Sequence, residues 1–472
     1  MASLIKNTFI YTFGRVLPQI TGFILLPLYT KHLSPTEYGI VESMLAFGMV
    51  LTIFFSLATE RSMFRLYYDY SSLVKQKIFI ANISVLILFF SSVILITLFL
   101  FKDTVAKTFT SISFSPYYEY AIINAYFMAF SFIPQTMYQV QEKAGKFLII
   151  SLAPFFIGIA FILYYIVILD EGAAGMLKGK MIGSIVMIPI YIYIVVKNSI
   201  FRVNKTVIKN ILNFSLPMVP TLLTAWVLNM SNRIFIERYF TLEDVGVFSM
   251  AFRISSLVGV LLGAIFTAYN PVFYRLANAE NQIKSKKEIA DLNKLILSIT
   301  IIVCFGLSFF SKELVYFILD EKYKGAAILI PVITFSFFLI QVASFYNLMI
   351  YQSKKSILIM TISIVGAVFS IGFNFLLVPH LGANGASWAA VFSAFILLLL
   401  KVYFAFKNYY IKIDYTKSII ITISLSLLVF LDIFYLNINM FLSLGVKFFI
   451  CTISMFYYYN SNKNKFKLLF SR

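Results

Sequence analysis

Four arginines are the residues least at home in their surroundings. Arg15, Arg61, Arg233 and Arg253 stand inside or at the ends of long apolar runs. An arginine at mid-bilayer costs at least about 2.5 to 3.5 kcal/mol on insertion scales unless it meets water or a counter-ion. Guanidinium forks bind phosphate oxygens in bidentate fashion, so two or three arginines lining one cleft suit a diphosphate. Arg15 and Arg253 are expected to face an aqueous, anion-binding cavity; the alternative is structural pairing with Glu42, Glu60 or Glu237. For Arg61 and Arg233, close to an interface, both readings stay open. Glu42, Glu60 and Glu119, each near the end of an apolar run, are candidates for carrying a coupling proton or sodium ion. His32 and His380 are the only histidines and have no metal-ligand spacing, which argues against zinc chemistry and histidine-based acid/base catalysis. We expect no catalytic residues, no metal and no cofactor.

The elements that must position these groups are membrane helices. Of 472 residues, 60% are hydrophobic and 12% charged, with 52 Phe and 30 Tyr, and the mean hydropathy is +0.89. That composition describes a polytopic membrane protein rather than a soluble one. The formal charge of +19 does not point to nucleic acid, because the Lys and Arg lie between apolar runs instead of along one basic face. Cys304 and Cys451 both fall in apolar stretches and imply no disulfide framework. MASLIKNTFIYTFGRVLPQ lacks a small-residue cleavage site after a short core, so it reads as a retained first helix.

A hydrocarbon core of roughly 30 Å takes about 20 helical residues to cross. Fourteen candidate spans follow: 5–29, 39–59, 78–101, 117–140, 147–169, 175–196, 212–232, 245–271, 295–319, 326–350, 357–379, 385–406, 418–436 and 440–459. With the N-terminus inside, 25 of the 39 basic residues fall in cytoplasmic segments and 10 in external ones, which places both termini in the cytoplasm. Asp432 and Lys447, on the last two spans, are expected to pair with each other. Residues 275–294 read as an amphipathic helix offering Ile283, Ile289 and Leu292 to the membrane surface, or as a solvated connector.

The chain repeats itself. HLSPTEYGIVESM (32–44) matches YFTLEDVGVFSMA (239–251) at a shift of 207, MFRL (63–66) matches FYRL (273–276) at 210, and EGAAGM (171–176) matches LGANGA (381–386) at 210. The order and nearly constant shift predict two parallel six-span bundles, residues 1–205 and 206–410, followed by residues 411–472 with two further spans and a tail. Parallel repeats imply a pseudo-two-fold along the membrane normal. At the shift of 207, Arg15 falls on Leu222 and Arg253 on Ala46, so the scaffold itself does not require those arginines. Arg65 and Arg275 are repeated and read as anchors, whereas Arg61 is not repeated and reads as a cytoplasmic access point for the diphosphate. Prolines such as Pro18, Pro134, Pro154, Pro271 and Pro331 predict bends within spans.

TKHLSPTEYGIVESM after the first span, NRIFIERYFTLEDVGVFSMAFRI around the seventh and eighth, and PHLGANGASWAAVFS entering the twelfth together resemble the Wzx-type oligosaccharide flippases. These belong to the multidrug/oligosaccharidyl-lipid/polysaccharide exporter superfamily, and the resemblance covers the whole chain, including fourteen spans. It implies alternating-access transfer of a polyprenyl-diphosphate-linked oligosaccharide repeat unit to the outer leaflet of a bacterial inner membrane, for O-antigen, lipopolysaccharide or capsule biosynthesis. It also implies membrane lipids, a polysaccharide polymerase and chain-length machinery as partners, and no nucleic acid. Related lipid II flippases carry arginines on the first, second and eighth helices, where Arg15, Arg61 and Arg253 fall. Asn232 departs from the pattern, since relatives commonly place an acidic residue before the arginine at that motif.

Three rivals remain. A lipid II flippase shares the polyprenyl-diphosphate chemistry. A drug/cation antiporter of the same superfamily would want buried carboxylates, and here the mid-membrane charges are mostly arginines. A membrane polymerase or glycosyltransferase needs a large external loop or a supported carboxylate, and the external loops here are short.

Overall fold

Ser34-Pro35-Thr36-Glu37 starts a helix by two local devices. Proline at the first helical position matches the helical φ, and Ser34 and Glu37 cap each other's backbone: Ser34 Oγ accepts from Glu37 N at 3.2 Å while Ser34 N donates to Glu37 Oε2 at 2.8 Å. The repeat reproduces this 207 residues later, where Thr241 and Asp244 form the same reciprocal box. The computed structural model describes residues 2–353, 355–413, 415–434 and 447. Among them the fold is helical with no strand.

In chain order the helices are α1 (Ala2–Ile24), α2 (Leu26–His32), α3 (Pro35–Ser56), α4 (Thr59–Leu66), α5 (Leu73–Leu100), α6 (Lys102–Val105), α7 (Glu119–Val140), α8 (Ala144–Leu163), α9 (Gly172–Val186) and α10 (Ile188–Lys197). There follow α11 (Lys205–Ser215), α12 (Val219–Met230), α13 (Asn232–Tyr239), α14 (Leu242–Ser255), α15 (Leu257–Ala277), α16 (Gln282–Phe309), α17 (Ser311–Ile318), α18 (Ala326–Gln352), α19 (Ser356–Asn408) and α20 (Thr416–Phe434). Among the described residues nine helical stretches are long and apolar enough to cross a membrane, so the protein is a multi-pass membrane protein. Helix occurs in each of the first thirteen expected spans as far as they are described, the thirteenth to Phe434; two of them fall within α19, which breaks at Gly382. The fourteenth, 440–459, lies outside the described residues apart from Lys447.

Residues Met1–Gly246 and Val247–Arg472 form two compact units, the division falling inside α14. Repeat matching alone places the bundle boundary at 205/206. The helices between those two points, α11, α12 and α13, pack against α3, α4 and α5 of the first unit, and Trp226 Nε1 donates to the Ala46 carbonyl at 2.8 Å. Within the first unit α3 packs on α7, α8 on α9 and α1 on α8; in the second, α18 packs on α19, α15 and α16, and α20 on α16.

Two pairs of repeated glycines do equivalent work. Gly39 and Gly246 meet each other where α3 crosses the start of α14. A Cβ on Gly39 would overlap the Leu242 carbonyl and one on Gly246 the Pro35 carbonyl, so only glycine lets the two backbones come this close. Gly172 and Gly382, 210 apart, both hold positive φ, 55° and 56°. α3 ends differently: Leu57 and Ala58 both adopt the left-handed conformation (φ 48° and 55°), unusual for residues with a Cβ, and α4 then restarts at Thr59. The 275–294 segment is no separate element, because α16 runs unbroken from Gln282. Ile289 is turned inward and Ile283 remains 88% exposed.

Candidate functional site

The first unit's charges gather around α3, α4 and α13. Arg233, on α13, is 2% exposed and reaches Glu42 on α3, with Nη2 3.1 Å from Oε2, while its Nη1 donates to the Asn229 carbonyl at 3.1 Å. Glu42 is buried as well. The carboxylate missing at Asn232 is thus supplied from a helix 191 residues away in sequence, and Asn232 itself is buried beside the pair. Glu237, one turn further along α13, is buried and accepts the Ser111 backbone N–H at 2.8 Å. The pairing makes chemical sense, since a buried guanidinium without a counter-charge is far more costly than a buried pair.

Glu60 and Arg61 sit at the start of α4, just past the left-handed break. The Arg61 side chain is 56% exposed, with Nε 3.9 Å from Glu60 Oε1. Glu60 is mostly enclosed, and its Oε2 has no hydrogen-bond partner. Burial raises its carboxyl above the usual carboxylate range, opposed by a backbone hydrogen bond and by the Arg61 charge. Ser62 Oγ donates to the Ile211 carbonyl at 3.0 Å, fixing α4 against α11. Arg65 is exposed and bound to Asp69 at 3.0 Å. Glu119, at the head of α7, accepts from Ser115 Oγ at 2.9 Å on the surface.

Arg15 lies on α1, with its side chain outside the described residues. Arg253 is partly buried on α14, within the second unit. The structure therefore brings Arg233 to Glu42 and Arg61 to Glu60, and leaves Glu119 apart from both.

The second unit holds what the sequence reading anticipated only in part. Lys447 Nζ is 2.8 Å from Asp432 Oδ2, but it also lies 2.8 Å from Glu313 Oε1 and 2.9 Å from the Phe309 carbonyl. All three charged groups are buried. Lys312 Nζ in turn donates to the Asp432 carbonyl at 2.6 Å. Glu313 was foreshadowed only by being an acid near the end of an apolar run. Lys401 on α19 was not singled out either: it is 9% exposed, and no Asp or Glu occurs between Glu321 and Asp414. A cavity of about 410 Å³, lined mainly by apolar residues including Cys304, Phe305, Pro331, Trp388 and Val429 with Asn384 among its few polar groups, lies among α16, α18, α19 and α20. Among the described residues no cluster of His, Cys, Asp and Glu could hold a metal.

Residues 4–277 match the model of the family described as "Polysaccharide biosynthesis protein". The chain belongs to that family. A protein encoded at the Lsg locus of Haemophilus influenzae is 22% identical over 278 residues, covering 57% of this chain and 65% of that relative. Among solved structures, the lipid II flippase MurJ in an inward closed conformation is similar over 97% of this chain and 99% of its own, with 16% identity and a TM-score of 0.75. An inward-facing multidrug resistance MATE transporter covers 84% and 95%, with 14% identity and a TM-score of 0.63. At those identities the likeness establishes a shared fold and not a role or a substrate.

Proposed function

We propose that the protein is a flippase that moves a polyprenyl-diphosphate-linked oligosaccharide repeat unit from the cytoplasmic to the outer leaflet of a bacterial plasma membrane by alternating access, supplying O-antigen or capsule biosynthesis. The observation that carries the reading is the placement of three arginines, Arg15, Arg61 and Arg253, on or at the membrane helices of a polysaccharide biosynthesis family member. Arg15 lies inside the apolar helix α1, Arg253 lies in the last turn of α14 within the apolar stretch Leu242–Ala277, and Arg61 stands exposed at the start of α4. Arginines suit a diphosphate and repel a cationic drug. Glu42, the carboxylate a cation exporter would need to keep open, is committed to Arg233. The largely apolar cavity of the second unit suits a hydrocarbon chain. Arg61, next to a break in its helix, is the residue that would meet the diphosphate from the cytoplasm, and Glu60 is the carboxylate that would take up a coupling proton.

The test is the double variant Arg15→Gln/Arg253→Gln in a strain whose surface polysaccharide depends on this protein. It should lose surface polysaccharide while reaching the membrane at wild-type levels. Normal polysaccharide would end the role proposed for these two arginines. A lipid II flippase is separated by substrate: the purified protein in liposomes should move a polyprenyl-diphosphate oligosaccharide and leave labelled lipid II in place.

A further inference from the structure

One corner of the first unit carries basic residues and no acid among them. The chain leaving α10 does not swing free: Ile200 N donates to the Lys77 carbonyl at 3.2 Å, so residues 198–204 lie along the first turns of α5. The buried Asn82 clamps them there, its Nδ2 donating to the Arg202 carbonyl at 2.9 Å and its Oδ1 accepting from Asn204 N at 2.9 Å. α11 packs on the same α5, and Val207 and Ile211 are buried on it. This docking sets the chain around Lys197, Arg202 and Lys205 along the turns of α5 that carry Lys75 and Lys77, with Lys209 one turn further along α11. No Asp or Glu occurs in 70–102 or 172–236, and the nearest acid in sequence, Asp69, is bound to Arg65. Interleaved with these cations are exposed apolar side chains, notably Leu73, Val74, Phe201 and Val203.

We propose that this corner is a binding site for anionic glycerophospholipid headgroups. Six cations on segments that carry no acid of their own hold a phosphodiester, and the four apolar side chains enter the adjoining acyl region. The position agrees with both halves of the proposal, since these are the ends of α5, α10 and α11, where apolar membrane-length helix gives way to charge. A soluble acidic protein would meet the same cations. It would gain nothing from Leu73, Val74, Phe201 and Val203, which stand more than half exposed beside apolar transmembrane surface. The site does not depend on what the protein transports. It requires only that Asn82 keep the 198–204 segment on α5, so that cations distant in sequence share one lipid.

Native mass spectrometry of the full-length protein in detergent, titrated with phosphatidylglycerol or phosphatidylcholine, tests it. The wild type should hold phosphatidylglycerol at least about tenfold more tightly, given about 1 kcal/mol, or fivefold, for each basic residue near an anionic surface. Lys75→Gln/Lys77→Gln/Arg202→Gln/Lys205→Gln should abolish that preference, while Lys284→Gln/Lys286→Gln/Lys287→Gln on α16 should keep it. Asn82→Leu leaves every charge in place, so it separates headgroup binding from the membrane orientation that charge counts set; it should weaken phosphatidylglycerol several-fold. The proposal is overturned if the quadruple variant keeps the preference, if the α16 variant loses it equally, or if Asn82→Leu binds as the wild type does.

Discussion

Removing one partner of the Glu42 and Arg233 pair should be among the most damaging single changes in the first unit. Arg233 is 2% exposed and its guanidinium is held by one carboxylate at 3.1 Å and one carbonyl at 3.1 Å. In Glu42→Gln the arginine keeps its charge in a buried site without the carboxylate, and the loss should be about 3 to 5 kcal/mol, the range for breaking buried pairs. Arg233→Met leaves the Glu42 carboxylate buried without its guanidinium, with a similar loss. The double variant Glu42→Gln/Arg233→Met strands neither charge and should fall well short of the sum of the singles, giving a coupling of about 3 kcal/mol in a double-mutant cycle. Reversible unfolding in mixed micelles, followed by tryptophan fluorescence, supplies the four stabilities. Single losses below about 1 kcal/mol that simply add would refute the pairing, because they are what an exposed ion pair gives. The same variants bear on transport: a stable double variant that still supports surface polysaccharide would remove Arg233 from the substrate-binding set.

Three further outcomes follow from the packing. Gly39→Ala places a Cβ into the Leu242 carbonyl, so the crossing must open, at a loss of about 1 to 3 kcal/mol, seen as a lower melting temperature in detergent; a melting temperature equal to the wild type would mean α3 and α14 do not cross this closely. Lys447→Met leaves Glu313 and Asp432 facing each other without the ammonium that bridges them, and should destabilise by about 3 to 5 kcal/mol, whereas Asp432→Asn, which leaves Lys447 on Glu313, should cost less; the reverse order would contradict the geometry. Because burial raises the Glu60 carboxyl in the folded state, its contribution to stability is full below the unfolded value of about 4.3 and is lost as pH rises through the higher folded value. Glu60→Gln should therefore be at least as stable as the wild type at pH 7 and show a flatter stability profile between pH 4 and 7, read by thermal melting across that range; a parallel profile would rule out the burial effect.

The amino-acid sequence by itself determined the elements. Apolar runs of membrane length become helices because a lipid-embedded backbone must satisfy its own hydrogen bonds, and helix stands at every expected span among the described residues. Matching local signals recur at the repeat shift: the capping boxes at Ser34 and Thr241 and the positive-φ glycines Gly172 and Gly382 are short-range features written in a few consecutive residues. What only the tertiary structure decided is which charge meets which. Glu42 and Arg233 are 191 residues apart and Glu313 and Lys447 are 134 apart. Helices that are apolar nearly all round carry no strong face signal to say which neighbour they pack against. Asn232 looked like a lost partner for Arg233 until α3 supplied Glu42, and Asp432 with Lys447 looked like a closed pair until α17 added Glu313. The break at Leu57 and Ala58 was equally hidden, because neither residue favours the left-handed region on its own; surrounding packing holds both there. Helix spacing fixes which residues share a face, and only packing in three dimensions fixes what that face meets.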